Sequence, residues 1–169
     1  MNLSSIAFKD SETTLESDTH ADTCCLGEGA LEILDHQEPV NVQGYDYTLG
    51  SKQYQTISGT LAYDHPHKGQ RYHIIIHQAV SIPTMKHHLL CPMQSRANKI
   101  TVNDCPRMFV DDPDEELHCI VATDDDGNKV LLPFLLNGVT SYVSVYSLSK
   151  QEFDRHEYPR VHLTNCDLK

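Results

Sequence analysis

Apolar and polar residues alternate over short runs through most of the chain, and glycine, proline or clustered acids break the runs. This period of two is the mark of half-buried strands. From Thr13, "TTLESD" and "ALEIL" each read as a strand, and "PVNVQGYDYTLGSKQYQTISGTLAYD" reads as one or two hairpins. Gly44 and Gly50 bracket a tyrosine-rich segment with the character of a mobile hairpin tip. "DHPHKGQ" predicts a turn, because Pro66 and Gly69 both interrupt strand pairing. "RYHIIIHQAVSIP" is the strongest strand, rich in β-branched residues and ended by Pro83. In "MKHHLLCPMQSRANK", Leu89, Leu90, Met93 and Ala97 recur at helical spacing. A short helix is expected there, starting beyond Pro92, since proline suits a first turn better than an interior.

After Cys105 the composition changes. "VDDPDEE" reads as an acidic linker, "HCIVATDDDGNKVLLPFLL" as a hairpin around an Asp-Gly turn, and "VTSYVSVYSL" as another alternating strand. "SKQEFDRHEY" has the pattern of a short capped helix. The expectation is a mostly β chain with a flexible N-terminus over 1–12, a domain over 13–105 and a β-rich C-terminal extension over 106–169.

Composition narrows the function classes. The chain has 169 residues, 39% of them apolar, and a formal net charge of −11. A surface that acidic repels phosphate backbones, which argues against nucleic acid as a partner. The longest apolar stretch, "VLLPFLL", is far short of the ~18–20 residues of a membrane span. The start lacks the basic and apolar regions of a secretory leader. The six cysteines form no CxxC pair and no regular framework, so reduced, partly buried thiols are expected.

Eleven histidines raise the question of metal. His65 and His67 would put two imidazoles on one strand face, ~6.5–7 Å apart, whereas His73 and His77 would lie about 13 Å apart on a strand. No carboxylate at a familiar spacing completes a ligand set, and solvent-facing histidines on a sheet are the simpler expectation. No metal and no cofactor is assigned. "DDDGNK" lacks the alternating acids and closing glutamate of a calcium loop. Cys24 and Cys25 stand in acidic surroundings that disfavour a thiolate, and on a strand they point to opposite faces, so at least one belongs to the core.

The acids carry more. In "ESDTHADTCCLG", Asp18 follows a strand-like run and precedes Thr19, His20, Ala21 and Asp22. A carboxylate at a strand-to-turn junction followed by a small hydroxyl residue is the local pattern of aspartic peptidases. That chemistry needs two carboxyl groups about 3 Å apart sharing one proton.

The loop "DTHAD", the glycine-bearing hairpin and the terminal segment "AVSIPTMKHHLLCPMQ", with Pro83, Leu89 and Leu90, occur in an order and spacing that resemble a known family. From about Thr14 to Lys99 the chain looks like the retropepsin-like protease segment of a copia-type LTR retrotransposon polyprotein. That resemblance implies a closed β-barrel of the acid protease fold with one short helix. It implies Asp18 as the catalytic carboxylate and Thr19 as a hydroxyl bracing the active-site loop. Ala21 would line the loop floor, Asp22 would hold substrate amides, and the hairpin with Gly44, Tyr45 and Gly50 would be the flap over the substrate. With one Asp-Thr loop, the implied enzyme is a homodimer cleaving polyprotein peptides, in the cytoplasmic virus-like particle of a retroelement. His20 departs from the family's glycine, which permits tight loop geometry, and "LLCPM" departs from its usual serine or glycine. Two other readings stand beside it. One is a remnant that keeps the fold without activity. The other is a small metal-binding β-barrel using His65, His67 and a third histidine.

Overall fold

The computed structural model describes residues 12–43, 48 and 50–165. The chain is mostly β, and among the described residues it has twelve strands and two short helices in the order β1 Glu12–Ser17, β2 Cys25–Leu26, β3 Leu31–Gln43, β4 Ser51–Asp64, β5 Arg71–Ser81, β6 His88–Leu90, α1 Pro92–Ala97, β7 Thr101–Asn103, β8 Cys119–Thr123, β9 Lys129–Pro133, β10 Leu135–Asn137, β11 Thr140–Tyr146, α2 Lys150–Asp154 and β12 Arg160–His162. A 3-10 turn covers Arg107–Phe109. Nine strands form one sheet in the order β10-β11-β1-β6-β2-β5-β4-β3, with β12 on β5, while β7, β8 and β9 form a second. Of the segment 1–12 expected to be loose, residues 1–11 lie outside the described residues, and Glu12 begins β1 instead.

The long β3–β4 hairpin is paired from Leu31↔Thr60 to Gln43↔Ser51. Its first strand alternates between exposed and half-buried positions, as a one-sided strand should. By contrast, Thr56 to Tyr63 of β4 and Tyr72 to Ile76 of β5 are buried without interruption, because other elements cover both of their faces. Leu15, Leu26, Leu61, Ile74, Ile76 and Leu90 lie at the centre, and the same core continues into Ile120, Leu132, Val143, Val161 and Leu163. No helix among the described residues is long and apolar enough to cross a membrane.

Two expectations are corrected. Leu89 and Leu90, counted in the helical spacing, belong to β6, because Leu90 is fully buried between strands, while the short helix expected beyond Pro92 is present as Pro92–Ala97. The change of composition near residue 105 is no break in the sheet. β11 pairs antiparallel with β1 from Glu12↔Tyr146 to Glu16↔Tyr142, and β12 pairs parallel with β5. β11 also touches β4 at Tyr146↔Ala62. Other expectations hold: β8 and β9 form the Asp-Gly hairpin, and Ser149 caps α2 by accepting from the Glu152 amide at 3.1 Å.

Candidate active-site cleft

Asp18 leaves β1 directly, and its place is set by the short strand β6. β6 runs parallel to β1 (Leu15↔His88 to Ser17↔Leu90) and antiparallel to β2 (Cys25↔Leu89). The chain therefore goes out along β1, turns through 18–24 and returns as β2 on the other side of β6. The Asp18 amide donates to Leu90 O at 3.0 Å, the last rung before the turn. Within the turn the His20 amide donates to Asp18 Oδ1 at 2.9 Å and Ala21 N donates to Asp18 O at 3.3 Å.

The turn is fastened from below by side chains that the sequence did not single out. Gln94 of α1 accepts from the Cys24 amide at 2.8 Å and from Thr23 Oγ1 at 3.1 Å. Its Nε2 donates to His77 O and Gln78 O, each at 3.3 Å. The Cys91 amide donates to Cys24 Sγ at 3.2 Å, and the Cys91 thiol donates to Ala21 O at 3.1 Å. Only the position of Gln94 just after "LLCP" could have flagged it. A polar residue there, among Leu90, Cys91 and Pro92, must find partners once buried.

Above the turn lies a cleft of about 740 Å³ between the loop and the hairpin. Asp18, Ala21, Asp22 and Cys25 line its floor, Val40 and Val42 its roof, and Val80, Ile82, Met85 and Leu89 its sides. Thr23, Glu38, Asn41, Gln43, Thr56 and Gln78 also line it, so the cleft presents about as many polar as apolar side chains. Of the expected substrate contacts, Ala21 and Asp22 therefore sit in the cleft with Asp18. Thr19 is exposed, does not line it, and lies 3.3 Å from His20 Nδ1 through its Oγ1. Gly50 is exposed in the left-handed region (φ 69°), as a hairpin turn demands. Gly44 and Tyr45 lie outside the described residues.

His20 imposes no backbone strain. Among the described non-glycine residues, positive φ occurs at Gln37, Gln78, Lys99, His118 and His156, not at His20. The turn thus accepts a Cβ at this position, and His20 is exposed. Neither adjacent cysteine offers a thiolate. Burial pushes the Cys24 thiol up to about 12, and burial followed by the Asp18 charge pushes Cys25 up to about 11.

The histidines correct another expectation. His65, His73, His88 and His118 are buried rather than solvent-facing, because each serves as an internal partner or packing ring. His65 Nδ1 accepts from the amides of His67 and Lys68 and so closes the turn. Among the described residues no group of three or more His, Cys, Asp or Glu is placed to hold a metal ion.

Comparison with known proteins finds no matching protein family, no matching curated protein and no matching solved structure.

Proposed function

We propose that this chain is a retropepsin-like aspartic endopeptidase of a copia-type retroelement, active as a homodimer on polyprotein peptides. The observation that supports it most is the placement of Asp18. It stands at the end of β1, hydrogen-bonded to the strand threaded between β1 and β2, and it opens into a cleft roofed by a long hairpin. The Tyr146↔Ala62 pair returns the hydrogen-bonded path from β11 to β4, which supports reading the sheet as a closed barrel.

One chain supplies one such carboxylate, so the reaction needs a two-fold partner. With two Asp18 side chains face to face, repulsion leaves one proton shared between them. The ionised carboxylate takes a proton from water, which attacks the scissile carbonyl, while the protonated partner donates to the carbonyl oxygen. The proton held by the first carboxyl then passes to the leaving nitrogen as the C–N bond breaks. Ala21 and Asp22 on the floor and Val40 and Val42 on the roof would hold the peptide extended, with the hairpin excluding bulk water.

The test is cleavage of the parent polyprotein by the purified chain. Wild type cleaves with a rate that rises more than linearly with enzyme concentration, and Asp18→Asn does not cleave. Cleavage that survives Asp18→Asn overturns the assignment. A folded chain that never cleaves at any concentration supports instead a non-catalytic remnant.

A further inference from the structure

Away from the cleft, five polar side chains from five separate segments meet in one line. His36 of β3 lies with Nε2 2.8 Å from Ser58 Oγ of β4. Ser58 Oγ lies 2.8 Å from His77 Nδ1 of β5. His77 Nε2 lies 2.9 Å from His162 Nδ1 of β12, and His162 Nε2 lies 3.2 Å from Asp125 Oδ1 in the β8–β9 turn. The His77 and His162 rings have centroids 5.2 Å apart and an interplanar angle of 11°. Nitrogens only 2.9 Å apart with centroids so distant place the rings end to end in nearly one plane, the arrangement a straight N–H···N bond requires. The backbone holds this line in place. Thr164 Oγ1 accepts from His77 N and donates to His77 O, both at 2.7 Å. On β3 the register shifts between Asp35 and Pro39, with Gln37 left-handed at φ 57°, so the strand bulges at His36.

Proton counting fixes what such a line can do. There are four contacts, and three neutral imidazoles and one hydroxyl bring four protons. Each contact is filled once when His36 Nε2–H donates to Ser58, Ser58 O–H to His77 Nδ1, His77 Nε2–H to His162 Nδ1, and His162 Nε2–H to the Asp125 carboxylate. A fifth proton arriving at His36 Nδ1 is also accommodated. His36 passes its Nε2 proton to Ser58, Ser58 passes its own to His77 Nδ1, and His77 passes its Nε2 proton to His162 Nδ1. One proton has entered, three contacts have reversed, each of the four still holds one proton, and the positive charge stands on His162 against Asp125. We infer that Asp125, His162, His77, Ser58 and His36 form a proton relay that joins the β3–β4 hairpin and the β8–β9 turn into one protonating unit.

Charged groups stand near both ends of the line. Asp124 and Asp126 flank Asp125, and Arg160, the cation of β12, is turned over the Phe153 ring with its guanidinium carbon 3.8 Å from the centroid. On the hairpin, Asp35 and Glu38 stand near His36 in sequence, and the Asp35 carboxylate accepts from the Gln37 amide at 2.7 Å. β4 contributes Ser58 and β5 His77 to the line. Ser58 is fully buried, which excludes it as a nucleophile for an outside substrate and suits it to carrying a proton. The relay is independent of the peptidase reading and uses no residue of the cleft floor.

The test is the protonation state of each ring nitrogen, read from long-range 1H–15N spectra of the histidine-labelled full chain across pH 4–8. In wild type, His36 changes tautomer from Nε2–H to Nδ1–H while staying neutral, over the same pH interval in which His162 becomes cationic. Ser58→Ala cuts the line, so His36 then charges like an isolated histidine and no longer follows His162. Asp125→Asn lies in an exposed turn and checks the result if Ser58→Ala does not fold; it abolishes the step at His162 and uncouples the tautomer change at His36 from it. A wild-type His36 that becomes an imidazolium independently of His162 overturns the relay. So does a Ser58→Ala chain whose histidine titrations match wild type.

Discussion

Replacing Gln94 by leucine isolates what fastens the Asp18 turn. Leucine fills nearly the same volume but can neither accept nor donate. Four contacts vanish, yet they do not count equally. Thr23 Oγ1 keeps a second acceptor in Gln78 O at 3.2 Å, which leaves Gln78 O occupied as well. His77 O keeps the Thr164 hydroxyl at 2.7 Å. Only the Cys24 amide, in a residue with no exposed surface, is left without a partner. An orphaned buried donor costs about 1–3 kcal/mol, and the other contacts are worth little once their partners are re-satisfied. The expected destabilisation is therefore about 2 kcal/mol, not the ~4 kcal/mol that four hydrogen bonds at about 1 kcal/mol each would suggest. Urea unfolding at equilibrium measures it, and for a chain of this size Tm should fall by roughly 4–8 °C. Gln94→Glu keeps the acceptor for Cys24 and should lose less at low pH, where its carboxyl is protonated. A Gln94→Leu chain as stable as wild type would refute the view that this side chain pins the turn.

Further outcomes follow from other sites. A Cβ on Gly27 would lie 2.4 Å from Met85 O and 2.5 Å from His87 O; both are backbone atoms that cannot swing away, so Gly27→Ala should destabilise by at least the ~1–3 kcal/mol of overpacking, seen in denaturant melts. Ser149→Ala removes the α2 cap and should cost about 1 kcal/mol, with a matching loss in thermal melts. Burial holds His88 down to about 4, and its Nδ1 accepts from Gly27 N at 2.9 Å, so the native state keeps it neutral. Its contribution is complete above the unfolded value near 6.5 and is lost as pH falls toward 4, a change of roughly 3 kcal/mol. His88→Asn, which retains an acceptor, should flatten that part of the stability–pH curve. A chain ending at residue 105 should aggregate or remain unfolded by circular dichroism, since β1 loses β11 and the core loses Val143, Val145 and Val161.

Period-two patterning made the long strands legible, because β3, β4, β5 and β11 each carry enough alternating or β-branched positions to overwhelm local exceptions. It failed at Leu89 and Leu90, where three residues form a strand only because β1 and β2 flank them. No window along the chain contains that information. The turn holding Asp18 was legible as a junction of strand and polar residues, and Ala21 and Asp22 do meet Asp18 in the cleft. Its supports were not, since Gln94 and Cys91 lie some seventy positions away. The histidines were misread for the same reason. Alternation predicts which face a side chain takes but not whether a distant segment, here Phe153 and Tyr158 against His73, covers that face.

The pairing of β1 with β11 bears on synthesis. During synthesis β1 is made well before its two neighbours, β6 and β11, which follow it by about seventy and about 130 positions. Until then both edges of β1 offer open backbone donors and acceptors to any other strand nearby. Contacts so distant along the chain also slow folding. In crowded translation, nascent β1 is therefore a segment that a chaperone, or a neighbouring copy of the same polypeptide, would meet unpaired.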